Sequence, residues 1–168
     1  MDLRDYLLEQ LEREGAASRK TLERVPEGRN SWKPHGKSME MGMLAALVAT
    51  MPAWIAVMVE RDELDLDKAE NEGLMTKPVE TRAELLKALD GAMEKGRKAL
   101  SGVTEEHLKL PWRFVYKGHA LDRKPRYVMI ADSVFAHLAH HRGQLTVYMR
   151  LNEASVPALY GPSADEQH

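Results

Sequence analysis

The chain has 168 residues, 24 Lys and Arg against 26 Asp and Glu, seven histidines and no cysteine. That length buries a substantial core as one domain, 1–168, without covalent staples. The absence of cysteine excludes disulfides, thiolate nucleophiles and cysteine-type zinc sites, and near-balanced charge with no basic patch leaves nucleic acid no electrostatic footprint.

The first fifteen residues, MDLRDYLLEQLEREG, are amphipathic and acidic from the second position, unlike a signal peptide. Asp2 is a candidate N-cap. Leu3, Leu7, Leu11, Leu22 and Val25 then follow a helical period until Pro26, Gly28 and Asn30 break it. The linker SWKPHGKS ends at Ser38, the predicted N-cap of a second helix that carries Glu40 in its first turn and runs to about Arg61. Leu44, Leu47, Met51, Trp54 and Met58 make this helix almost wholly apolar on one side. Glu40 and Glu60 bound it and Pro52 interrupts it, which reads as a buried helix and not a membrane span. Pro52 cannot donate to the Val48 carbonyl, so a bend is expected there. No membrane partner and a cytoplasmic location follow as expectations.

Residues 62–78 are charged, contain Gly73 and Pro78, and read as a crossover loop with little structure. Thr81 and Glu84 form a capping-box pattern ahead of a third helix through Leu85, Leu89, Met93 and Leu100, which stops near Gly102. From Thr104 to Lys124 the chain reads as an irregular connection. Within it Trp112, Phe114 and Tyr116 alternate with Arg113, Val115 and Lys117, which predicts a short strand or extended flap. Pro125 suits the first turn of a fourth helix reaching about Asn152. The tail SVPALYGPS is too rich in proline and glycine for regular structure, although Tyr160 could pack over an end of the helices. Four amphipathic helices with a long crossover connection predict an all-α four-helix bundle, a fold that builds metal sites in its core.

The fourth helix carries FAHLAHHRGQLTVYMR, residues 135–150, with His137 and His141 spaced i, i+4. That spacing puts both imidazoles on one helix face, about a turn apart, an arrangement first-row divalent metals accept. Val134, Leu138, Leu145 and Tyr148 share the face, so both rings are expected to point toward the core. His140 falls at the stripe's edge, with Arg142 and Gly143 on opposite margins. The intervening residues are Leu138, Ala139 and His140, so the glutamate base of an HExxH zincin is absent. A histidine pair on an apolar stripe can equally be a hydrogen-bonded core feature, and the two readings stand about even.

Three segments in order, SWKPHGKSMEMGMLAALVATMPAW, HLAHHRGQLTVYMR and SVPALYGPS, resemble the DinB family, also called DinB/YfiT-like proteins. The resemblance implies a four-helix bundle, often a homodimer, with a metal held by three histidines. Two of the three map onto His137 and His141. The third lies in a second-helix pattern similar to LAxHxAxxPxW, and in LAALVATMPAW its place is taken by Leu47, with Trp54 seven residues on as the pattern expects. Some relatives in the family the chain resembles act as thiol-dependent transferases or as an isomerase. The resemblance therefore implies a metal-dependent enzyme of the transferase or hydrolase type with an incomplete site, or else a small-molecule-binding bundle with little or no metal. Zn or Ni would be weakly bound or absent. Leu47, Met51, Trp54 and Gln144 are the predicted pocket-lining residues. Gln144 could coordinate weakly or orient a histidine. No catalytic residue and no particular small-molecule substrate is assigned.

Overall fold

The computed structural model of the chain describes residues 2–69, 71 and 76–167. Helix α1, Leu3–Leu22, starts where predicted, with the Asp2 side chain accepting from the Asp5 amide at 2.8 Å. The linker then returns antiparallel to the start of α2, Met41–Thr50. Its amides Met41 and Gly42 donate to the Trp32 and Asn30 carbonyls, each at 2.9 Å. These bonds satisfy two of the donors that every helix N-terminus leaves open. The N-cap is therefore Glu40, without a side-chain bond, and not Ser38, whose amide closes a turn onto the His35 carbonyl.

Pro52 acts as expected. A 3₁₀ turn, Met51–Ala53, separates α2 from α3, Trp54–Glu60, because the missing amide interrupts the α ladder. The stretch Met41–Glu60 is long and apolar enough to cross a membrane by composition. It packs instead against α4, Arg82–Gly102, and α7, His137–Leu151, with Leu44, Val48, Met51 and Ile55 fully buried. The burial identifies it as the central helical stretch of the fold. Each such side chain removed from water stabilises by roughly 1.5–3 kcal/mol. Helix α4 begins with the predicted capping box, in which Thr81 and Glu84 satisfy each other's backbone amides. Helices α1, α2 and α3 all pack along it.

The sheet is the main departure from the all-α expectation. The chain is 58% helix and 10% strand, so it is mostly helical with a small three-stranded sheet added. Strand β1, Glu63–Asp65, lies within the segment read as unstructured loop; Glu70 and residues 72–75 of that segment fall outside the described residues. It pairs parallel with β2, Pro111–Tyr116, which pairs antiparallel with β3, His119–Pro125. Lys117 and Gly118 turn the hairpin with φ of 50° and 71°, the left-handed pair that a two-residue turn requires. The strand at 111–116 was foreseen; β3 was not, since HALDRKP carries charges and no apolar alternation. A short helix α5, Glu105–Lys109, links α4 to the sheet, and the His107 ring donates to the Val59 carbonyl at 2.8 Å.

Pro125 ends β3 and caps, without entering, the last helical stretch. That stretch is α6, Arg126–Ile130, then a π-helical turn, Ala131–Ala136, then α7. The tail from Asn152 is irregular, as predicted. It folds back through Asp165 to Arg150 at 2.6 Å and through Glu166 to Arg24.

Candidate functional site

The π turn ends at Ala136, so His137 is the first residue of α7. A π turn carries one extra residue and leaves backbone carbonyls free of the regular ladder, and such turns are frequent at functional sites. The second histidine follows one turn later, with ring centroids 4.4 Å apart. His141 Nδ1 donates to Gln144 Oε1 at 2.9 Å, because an amide oxygen can only accept. Its Nε2 lone pair is then free. Trp54 places its ring 6.0 Å from His137 and closes the α3 side of the pair. His140 is exposed, its ring 5.3 Å from His141.

Burial pushes the His137 pKa below its ordinary value, and the neighbouring His141 adds to the depression; the bond to the Ser133 carbonyl opposes both. The ring is therefore neutral at pH 7, the form that can accept a proton or ligate a metal.

The pair does not point into the core. Both rings are half-buried on the flank of α7. The core positions are Leu138, Arg142, Leu145 and Met149, each no more than 1% exposed. The wheel drawn from apolar residues alone left Arg142 at its margin and so rotated the buried face toward the histidines. Arg142 is buried because α1 supplies its partners: the Glu14 carboxylate at 2.5 Å, the Glu14 carbonyl at 3.0 Å and Ser18 Oγ at 3.0 Å. Tyr160, from the tail, lays its ring over the guanidinium at 5.4 Å and donates its hydroxyl to Glu14 at 3.0 Å. The Arg of the HRGQ segment is thus a structural clamp between α7, α1 and the tail. Sequence gave one signal for it, a glutamate at position 14 in line with Leu7 and Leu11, which reading by hydrophobicity discards.

The remaining predicted residues separate. Gln144 is exposed and orients His141. Leu47 is half-buried on α2, packed against the core, seven residues before Trp54. Met51 is fully buried, so it fills the core and lines no open pocket. Among the described residues no group of three or more His, Asp or Glu could hold a metal ion.

The DinB family model matches residues 2–168. The chain belongs to the DinB family. Its fold is similar to that of a DinB-like protein from Bacillus subtilis, at TM-score 0.69 and 19% identity over 97% of this chain and 99% of that one. It is also similar to a DinB-like protein from Bacillus cereus, at TM-score 0.66 and 20% identity over 92% and 95%. At that identity the likeness concerns the fold alone. Among curated proteins none matches this chain. Against the DinB fold, the histidine pair at the start of α7 and the kinked stretch opposite it are the features to explain.

Proposed function

We propose that this DinB chain, one domain over 1–168 built as a four-helix bundle, is a small-molecule-binding member whose histidine pair holds a divalent metal weakly or not at all. The donor set carries this reading. His137 and His141 converge, Leu47 stands where the resemblance implies a third histidine, and no three-ligand cluster is present among the described residues. A catalytic zinc site ordinarily has three protein ligands and an open position. Two imidazoles fall one short, so a resident three-ligand metal does not fit. Zn or Ni would be held loosely and displaced as protons compete for the rings. Leu47, Trp54 and Gln144 give the ligand a partly apolar wall.

One observation favours a second reading, a metal-dependent enzyme of the thiol-dependent transferase or hydrolase type. The His141 imidazole is fixed through one ring nitrogen by Gln144, as metal-bound histidines usually are. Elemental analysis of protein purified without a histidine tag separates the two. The expected result is far less than one Zn or Ni per chain after gel filtration. Stoichiometric metal would overturn the binding-module reading in favour of the enzyme.

The proposal also takes a cytoplasmic location, no nucleic-acid or membrane partner, and a homodimer. The outward side of α7 supports the last. Val147 and Leu151 are 58% and 56% exposed there, and Gly143 on the same side has open space above it.

A further inference from the structure

The sheet carries a second site, away from the histidines. In register across its three strands stand Glu63, Arg113 and Arg123, one carboxylate followed by two guanidiniums. Like charges directly opposite one another on paired strands repel and destabilise the pair. Glu63 compensates Arg113 at 2.6 Å and also takes Lys68 at 3.1 Å, so it does not serve Arg123. Asp62 is taken by Arg126 at 2.5 Å, and Asp122 by Lys124 at 3.0 Å. The Arg123 guanidinium has no carboxylate or carbonyl partner among the described residues.

Both strand arginines line a cleft of about 340 Å³ with Asp62, Leu110, Pro111 and Arg126. With Asp62 on Arg126 and Glu63 on Arg113, the lining keeps one guanidinium, Arg123, without a carboxylate partner among the described residues, on a chain whose net charge is −2. Arg126 is 1% exposed and held by the Pro111 and Arg61 carbonyls, and its Nε has no partner. Its terminal nitrogens are taken by these carbonyls and by Asp62, so it contributes a fixed positive charge beneath the cleft that needs no ordering when an anion binds. Leu110, half-exposed, and Pro111 form an apolar lip. The volume suits a small metabolite.

We propose that this cleft binds a small organic dianion, a phosphate monoester or a dicarboxylate, with Arg113 and Arg123 gripping its oxygens and Arg126 fixing the floor. The bidentate fork of arginine matches both oxyanions. The bound charge also relieves the repulsion between the paired strands, so binding and strand pairing reinforce each other.

The test is thermal melting of the full chain with inorganic phosphate or succinate, against sodium chloride at matched ionic strength. Phosphate, succinate or both should raise the melting temperature saturably above the chloride control, and which of them acts identifies the head group. R123Q, at an exposed position, should weaken the response at least tenfold in midpoint concentration. In chloride alone it should melt no lower than wild type. H141Q should keep the full response, which locates the anion in the arginine cleft whatever the histidines bind. No saturable rise with either anion, or a response in R123Q equal to that of wild type, would overturn the proposal.

Discussion

Arg142 shows how one residue reorganises the reading of a helix. A guanidinium at 0% exposure is tolerable because Glu14, Ser18 and Tyr160 accept from its two terminal nitrogens, although its Nε has no partner among the described residues. Removing one member of a buried pair leaves the other charged and uncompensated. Arg142→Ala should therefore cost about 3–5 kcal/mol in urea unfolding. Tyr160→Phe, which deletes the hydroxyl's bonds to Glu14 and from Arg142 but leaves the ion pair, should cost less, about 1–3 kcal/mol at about 0.5–1.5 kcal/mol per bond. Equal losses would show that the tail contact, and not the ion pair, is what matters. At His137 the depressed pKa makes stability depend on pH. The unfolded ring binds its proton near 6.5 and the folded ring only at lower pH, so stability is lost as pH falls from about 6.5 toward the folded value. The loss between pH 7.5 and 5.5 should be smaller in His137→Gln; an unchanged loss would mean that other groups cause it. The histidine pair itself was legible from its i, i+4 spacing. Its position on the flank was not, because no apolarity pattern reports that a charged residue takes the core position beside it.

The helical elements were read well where a local rule acts alone: the Asp2 cap, the Thr81 and Glu84 box, the break at Pro52. Elements set by distant partners were missed. Strand β1 is three residues long and exists because β2, some fifty positions away, offers it a parallel edge. The π turn before His137 likewise has no composition signal. The kink at Pro52 has a tertiary reason that the sequence also hid. Gly96 of α4 lies against it, so that a Cβ there would sit 2.8 Å from the Pro52 carbonyl oxygen and 3.3 Å from Leu11 Cδ2. Gly96→Ala should therefore destabilise, since overpacking of about 1–3 kcal/mol outweighs a helix-propensity gain of at most about 1 kcal/mol. Gly91, on the same helix, has nothing within 4 Å. Gly91→Ala should stabilise by up to about 1 kcal/mol. Chemical denaturation of the two variants checks this, and a stabilised Gly96→Ala would mean that α4 and the kink do not approach so closely.

For the whole molecule, the helical order was legible from helical periods and the family from three motif segments, while the sheet was not, because its middle strand pairs with neighbours of ordinary loop composition. The proposed homodimer belongs at this scale. Light scattering at high micromolar concentration should give twice the chain mass, and Gly143→Ala, by adding a methyl to the open face of α7, should shift the protein toward monomer. A wild-type monomer would end that proposal. The central claim is that this DinB chain has two of three metal ligands, with Leu47 at the vacant position on the helical stretch that faces the pair through Trp54. Leu47→His should destabilise the metal-free protein by putting a polar ring in a largely apolar setting, and Zn²⁺ should then restore stability by binding the native state alone. The deciding measurement is the melting temperature of wild type and Leu47→His, each with and without Zn²⁺. The predicted result is a rise with metal that is clearly larger in Leu47→His than in wild type; an equal rise in both, or none in either, would contradict the account.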